Sequence, residues 1–455
     1  MVEMVEVFAP AKTSAAQSGA THGSCVRLPQ PPFRPLLRGR NVRGREHSHP
    51  RTMLDSAASK GGKFSAMKTQ TISLALLAAL PSFCFAANQL TVTAANKLPL
   101  ARVSQTIELS AKDLAPLGES NLEKIHVQDA AGEELLCQAV DTDFDDYHKA
   151  DVVIFQSDFA ADETKTFTVT AGKKHEFKKE DYKAYGRFVR ERFDDFAWEN
   201  DRIAHRTYGK VLETWKGEPL SSSTIDIWSK RVPGMVIDGW YMSDNYHADN
   251  GEGCDDYSAG LSRGCGGNGL WAADRLWVSR NFVHSRVLAN GPIRVLFELV
   301  YEPFEVNGIS VSEVKRVALD AGQNLDHFQS SYQAFTRPER PVTLTAAIGL
   351  KKVAGEQTEF NAEHGWLLSW EKMEKLPGNQ GVAIIIDPKR VEKQAEDKLN
   401  QLLIAKVSAE NVSSYWAGFA WEKYGPATTA EAWKKYVDEF AQGLQSPIKV
   451  GVSAK

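Results

Sequence analysis

The sequence predicts an all-β protein: a small N-terminal β-sandwich, then a large antiparallel β-sandwich with a C-terminal helix. Three observations carry this prediction. Alternating or β-branched runs of four to twelve residues recur from residue 90 to residue 421, as half-buried strands require. Turn signals separate them, among them Ala131-Gly132 and Ala289-Asn290-Gly291-Pro292, where Asn and Gly tolerate positive φ and Pro fixes the exit. The chain has 455 residues, 42% of them hydrophobic, which is enough for two or three domains with cores of their own.

Residues 1–66 are rich in Arg, Pro, Ser, Gly and His and show no periodicity, so a disordered extension or a mis-called start is expected there. Met67-Lys68 then leads into an apolar run over 72–80, a break at Pro81, and small residues at Cys84 and Ala86. That is the tripartite pattern of a secretory signal peptide over 67–86. The run is too short for a stable membrane span. Phe83 before Cys84 disagrees with a lipoprotein cleavage site, so a periplasmic or secreted protein is expected. Export leaves Cys137, Cys254 and Cys265; the last two could pair in an oxidising compartment, and Cys137 reads as a small buried hydrophobe. A net charge of -4 offers no basic stripe, which argues against nucleic acid as a partner.

In chain order, strands are expected at 90–93, 105–109, 124–128, 151–155 and 166–170, forming the small sandwich of residues 87–172. A lysine-rich linker follows, and a second domain is expected over 181–455. Its first segment, 194–208, alternates charged with aromatic and aliphatic residues, giving a strand with one charged face on which Trp198, Glu199, Arg202, His205, Arg206 and Tyr208 crowd. Further strands are expected at 276–279, 283–288, 293–301, 308–319, 342–350, 365–370, 382–386 and 416–421. Two helices complete the reading. One is a mixed-charge segment at 390–402. The other starts at the capping sequence Thr428-Thr429-Ala430-Glu431 and places Trp433, Tyr436, Val437 and Phe440 on one face.

Chemistry concentrates in residues 244–257, continuing to the glycine-rich run 264–269. One histidine, two tyrosines and five acidic residues stand there with almost no aliphatic residue to build a core. A loop of this length inside a domain is uncommon and usually functional. No Gly-x-Ser-x-Gly elbow, phosphate loop or dinucleotide fingerprint occurs, so those enzyme classes drop out.

The phrases Phe196-Ala197-Trp198-Glu199-Asn200-Asp201-Arg202, Tyr246-His247-Ala248-Asp249-Asn250-Gly251-Glu252-Gly253, Gly264-Cys265-Gly266-Gly267 and Val287-Leu288-Ala289-Asn290-Gly291-Pro292 stand in order along the chain. Together with Lys315-Arg316 and Leu319-Asp320-Ala321-Gly322 they resemble the bacterial family called domain of unknown function 4861. The resemblance covers essentially all of the chain after residue 86. It implies a galactose-mutarotase-like β-supersandwich for the large domain. It also implies an exported protein of pectin and uronic-acid polysaccharide breakdown, with an acidic oligo- or polysaccharide as partner. It implies no particular reaction, so the reaction has to come from the site.

Cleaving a uronic polysaccharide by β-elimination needs a base for the proton beside the sugar carboxylate and a group that neutralises the developing charge. His247, Tyr246 and His205 are the candidate bases; Arg202, Arg206 and Asn245 are the candidate neutralisers. A hydrolase would use two carboxylates across the bond, for which Asp249, Glu252, Asp255 and Glu298 are available. A mutarotase or epimerase would set Glu298 against His247. Trp198 and Glu252 complete a substrate-binding set, and a non-catalytic carbohydrate-binding protein would use the same aromatic and cationic residues. No cofactor is expected; a divalent metal on His247, Asp249, Glu252 and Asp255 is the alternative, although their spacing fits no EF-hand and His-x-Asp is a weak zinc signal. The central expectation is that His205, Tyr246, His247 and Asp249 line one concave pocket with Arg202 or Arg206 and with Glu298.

Overall fold

The computed structural model describes residues 87–142, 149–217, 220–338 and 340–454. All of them belong to one compact unit spanning residues 81–455. The expected signal peptide at 67–86 lies outside the described residues.

The all-β prediction holds. In the small sandwich, a five-stranded antiparallel sheet runs in the order Lys449–Ala454, Leu90–Ala95, Thr164–Ala171, Ile125–Gln128, Glu134–Leu135. It faces a three-stranded sheet of Arg102–Ser110, Val152–Phe159 and Cys137–Val140. Period-two alternation sends Leu90, Val92, Val127, Phe167 and Val169 inward, against Ile107, Leu109, Val153 and Phe155. The C-terminal strand Lys449–Ala454 pairs with Leu90–Ala95 along its whole length, Leu90 opposite Ala454. The large domain therefore does not run to 455 as expected: the chain returns to the small sandwich for its last strand.

The large domain is built on an eight-stranded antiparallel sheet from Phe282–Ala289 through Arg294–Val306, Ile309–Asp320, Leu325–Phe335, Val412–Trp421, Asn379–Ile386 and Trp366–Lys372 to Gln357–Asn361. Two five-stranded sheets share one core with it. One contains Cys265–Ala272, Thr345–Lys351 and Asn400–Lys406; the other contains Ala184–Val189, Asp195–Asn200, Ala204–Thr207, Asp226–Lys230 and Gly253–Cys254. Phe196, Trp198 and Ile227 from the latter meet Ile348 and Leu403 from the former and Phe297, Val317, Phe328, Val382, Ile384 and Phe419 from the large sheet. The opposite face of the large sheet is covered too. Ala383 and Ile385 pack under Trp433 and Val437 of the helix Ala430–Gln445, which explains the unbroken apolar run at 382–386. The helix is capped by Thr429, whose hydroxyl accepts from the Ala432 amide at 3.2 Å.

The expected helix at 390–402 is instead a hairpin of Val391–Glu396 and Asn400–Lys406. Asp397 decides this, because its Oδ1 accepts from the amides of Leu399 and Asn400, both at 2.8 Å, and closes a turn that a helix would not allow. Leu402 and Ile404 then pack on Ala347. Cys137, Cys254 and Cys265 are all buried and unpaired, so the Cys254 to Cys265 bridge is absent. Among the described residues no helix is long and apolar enough to cross a membrane.

Candidate functional site

The sheet carrying residues 184–230 puts its two faces to different uses, and alternation along each strand decides which residue serves which. On Asp195–Asn200, Asp195, Ala197 and Glu199 face outward while Phe196 and Trp198 enter the shared core. On Ala204–Thr207, Ala204 and Arg206 face outward and His205 inward. On Asp226–Lys230, Asp226, Trp228 and Lys230 face outward and Ile227 inward. Register places Arg206 opposite Asp226 and Ala204 opposite both Trp228 and Glu199.

The outer face is roofed by the short helix Ile237–Ser243 and the loop that follows, with Ile237, Trp240, Tyr241 and Tyr246 packed on Ala197, Ala204 and Trp228. Glu199 fixes the roof. Its carboxylate accepts from the Val236 and Ile237 amides at 2.8–2.9 Å, where the helix has no side-chain cap of its own, and from Lys230 Nζ at 2.8 Å. The returning strand passes so close to Ser229 that a Cβ on Gly253 would lie 2.0 Å from the Ser229 carbonyl oxygen, and Gly253 has φ +117. Asp256 anchors the far end of the loop by accepting from the amides of Glu374, Lys375 and Leu376 at 2.7–2.9 Å.

Beneath this roof Arg206 is the electrostatic centre. It donates to Asp226 at 2.8 Å and to Asp255 at 2.7 Å, and lies 3.7 Å from Asp195. Tyr208, Trp228 and Tyr246 present their rings to its guanidinium at 5.3–5.6 Å. Burial opposes its charge, but Asp255, Tyr208, Asp226 and Asp195 hold its pKa well above the ordinary arginine value. Asp195 shows the opposite balance: burial pushes its carboxyl up to about 7 despite Arg206 and Arg192. Tyr246 stacks on Trp228 with centroids 4.9 Å apart, and its hydroxyl accepts from Arg192 Nε at 2.9 Å.

His247 sits at the surface of this cluster, its side chain 57% exposed. Its Nδ1 lies 3.3 Å from both the carbonyl oxygen and the Oδ2 of Asp255, and its ring centroid is 4.6 Å from that of Tyr246. Burial and the charges of Arg206, Lys375 and Arg192 lower its pKa, against the pull of the Asp255 carbonyl. The lowered pKa favours the neutral imidazole. With Nδ1–H directed at Asp255, the lone pair is on Nε2.

The structure thus brings together Arg206, Tyr246 and His247, and adds Asp195, Asp226, Asp255, Tyr241, Arg192 and Lys375. It separates the other expected site residues. His205 is fully buried on the inner face, with Nδ1 2.9 Å from the Asp226 carbonyl oxygen, Nε2 3.1 Å from Asp326 Oδ2, and its ring stacked on Trp198. Trp198 donates to Asp326 at 2.6 Å and is likewise sealed in the core. Glu298 lies on the large sheet, beside Leu296 rather than the core-facing Phe297, where Arg286 and Arg316 pair with it and Arg316 also reaches the Thr142 carbonyl. It cannot flank a sugar opposite His247. Arg202 follows the strand end and approaches Gly425 and Tyr424 instead. Asp249 shapes the loop, accepting from Arg231 at 2.8 Å and from the Gly251 and Gly253 amides. Glu252 accepts from Trp240 Nε1 at 3.1 Å, and Asn245 is exposed beside the loop turn. With Asp249, Glu252 and Asp255 each engaged in this way, the alternative of a divalent metal on His247, Asp249, Glu252 and Asp255 finds no such cluster among the described residues. A cavity of about 590 Å³ exists elsewhere, lined by Ser120–Glu123, Gln138 and Leu288–Asn290, and includes none of the expected residues.

The carboxylates that sequence reasoning missed, Asp195 and Asp226, had no local signal: Asp195 follows Asp194, and Asp226 opens the mixed stretch Asp226-Ile227-Trp228-Ser229-Lys230. Lys375 belongs to a distant turn and had no local signal.

Compared with known proteins, the chain is 33% identical over 377 residues to an uncharacterized protein called P7 from Formosa agariphila, covering 79% of this chain and 93% of that one. Two solved structures from Enterococcus faecalis are similar in part. One is an alpha-mannosidase, with a TM-score of 0.43 and 9% identity over 82% of this chain and 46% of that one. The other is a protein of glycosyl hydrolase family 38, with a TM-score of 0.45 and 10% identity over 82% of this chain and 48% of that one. The chain spans about half the length of each, and at these scores the likeness carries no functional argument. The model of the family called domain of unknown function 4861 matches residues 94–450, and the chain belongs to that family.

Proposed function

We propose that this protein is an exported carbohydrate-active enzyme that cleaves a uronic-acid-containing, pectin-like polysaccharide by β-elimination. The observation that carries the reading is His247: an exposed imidazole steadied through Nδ1 by Asp255, with its pKa lowered by partial burial and by the charges of Arg206, Lys375 and Arg192. In the reaction, Nε2 takes the proton from the carbon beside the sugar carboxylate. The electron pair left behind forms the carbon–carbon double bond and expels the glycosidic oxygen, which is protonated by the imidazolium just formed. Lys375, exposed near His247, suits the substrate carboxylate, whose charge grows as the proton leaves. Arg206 is buried and acts as a positioning residue through Asp255.

Elimination is favoured over hydrolysis by the state of the acids. A hydrolase needs two carboxyl groups across the bond, one of them free to donate a proton. Here Asp255 is buried on Arg206, Asp249 holds backbone amides and Arg231, Glu252 accepts from Trp240, and Glu298 is paired with Arg286 and Arg316. Export is motivated by the apolar segment before Pro81. Incubation with pectic oligosaccharides, with ultraviolet absorbance of unsaturated ends and reducing sugar followed together, tests the reading. Elimination raises both in equal amounts. Reducing ends without unsaturation would replace elimination by hydrolysis, and binding without either would leave a non-catalytic module.

A further inference from the structure

Away from this cluster, three side chains of the small sandwich converge beside one strand. His126 lies on Ile125–Gln128, and Glu134 lies on the neighbouring strand, with Gln128 opposite Glu134. His175 stands beyond the end of Thr164–Ala171, the strand that pairs with Ile125–Gln128 on its other side. Each residue offers one donor atom, and the three atoms lie within 4.8 Å of one another. His126 Nδ1 is 2.6 Å from Glu134 Oε1, and the two imidazole centroids are 4.2 Å apart.

Backbone carbonyls hold the far nitrogen of both rings. His126 Nε2 is 2.8 Å from the Lys173 oxygen, and His175 Nε2 is 2.7 Å from the Ile125 oxygen. Once the ion displaces the proton shared by His126 Nδ1 and Glu134, an Nε2–H given to a carbonyl leaves the Nδ1 lone pair free for it, the outer-shell arrangement that metal-binding histidines show. Gly172 is part of the cradle: a Cβ there would come within 2.8 Å of His126 Cδ2 and Nε2. Cys137 Sγ lies 3.3 Å from His175 Nε2 and donates to the Ile125 oxygen, so it stands behind the ring.

We propose that His126, Glu134 and His175 form a site for a divalent ion of the zinc class, with two nitrogens and one carboxylate oxygen as ligands and the fourth position open to water. This donor set suits Zn²⁺, whose bonds of about 2.0–2.2 Å to such atoms are reached by closing the three side chains slightly around it, with Glu134, half-exposed, free to move. The ion would add to the bonds that already tie the segment after residue 171 to the 125–128 strand and its flank: the Gly172 and His175 amides on the Lys124 and Glu123 carbonyls, the two imidazole–carbonyl bonds, and the Lys174–Glu123 ion pair.

The test is calorimetric titration of Zn²⁺ into the untagged, chelator-treated full chain, with thermal unfolding recorded with and without the ion. One Zn²⁺ should bind per chain with micromolar or tighter affinity and raise the unfolding temperature. Glu134→Gln, at an exposed position that leaves the fold intact, should weaken binding at least about tenfold, in line with losses seen when metal-site partners are removed. His126→Ala with His175→Ala should abolish both binding and the thermal shift. Failure of the wild-type chain to bind stoichiometrically, or binding unchanged in Glu134→Gln, would overturn the site.

Discussion

His205 and Arg206 are adjacent in sequence and belong to different worlds. His205 enters a sealed core and meets Trp198, Phe419 and Asp326, with no path to a substrate. Arg206 faces the other way, gathers Asp195, Asp226 and Asp255, and through Asp255 supports a histidine at the surface. Both faces are polar where an ordinary sandwich would be apolar, yet only the outer one leads outward. A buried charged network is therefore not by itself a functional signal; what distinguishes the outer one is its connection to an exposed proton-transfer group.

The largest effect expected from breaking this contrast is on stability. Arg206→Ala strands three buried carboxylates and should destabilise the protein by about 3–5 kcal/mol in denaturant unfolding. His205→Ala removes a buried polar partner from Asp326 and the Asp226 carbonyl and should cost about 1–3 kcal/mol. The folded fraction of that variant should keep wild-type turnover on uronic oligosaccharide, because the inner face takes no part in the chemistry.

Acid and base separate the faces further. The Asp195 carboxyl, ordinarily at 3.8, is pushed up to about 7 by burial in the folded protein. The folded state thus holds this proton more tightly than the unfolded chain. The resulting stabilisation is full below the ordinary value and is lost as pH rises through about 7. Between pH 5 and pH 8 the unfolding temperature of the wild type should fall relative to that of Asp195→Asn, which does not titrate. Buried Glu371, pushed up to about 8, runs in the same direction in both proteins and cancels in the comparison. The smallest effect belongs to Arg202→Ala. Its side chain lies outside both networks, so stability should stay within about 0.5 kcal/mol and turnover should not change.

The strands were legible from alternation. Legible too was the loop around His247, because residue types unsuited to a core crowd into it. What was hidden depends on long-range pairing. The sequence around 198–206 shows which residues are polar but not which face a neighbouring sheet will cover, and a single register step exchanges His205 with Arg206. Glu298 looked available until Arg286 and Arg316, across the pairs to the adjoining strands, closed on it. The hairpin at 391–406 read as a helix because mixed charge suits both, and its Asp397 turn outweighed a weak propensity. The strand 449–454 has no strong local pattern and exists because the 90–95 edge accepts it.

The most direct measurement is the turnover of His247→Ala on a uronic oligosaccharide, set beside its unfolding curve. His247 is half-exposed and, beyond its ring contact with Tyr246, makes only long contacts of 3.3 Å to two oxygens of Asp255, so stability should change by less than about 0.5 kcal/mol. Turnover should fall by about two to four orders of magnitude, the usual cost of removing a general acid-base group. A folded His247→Ala protein with wild-type formation of unsaturated ends would contradict the account.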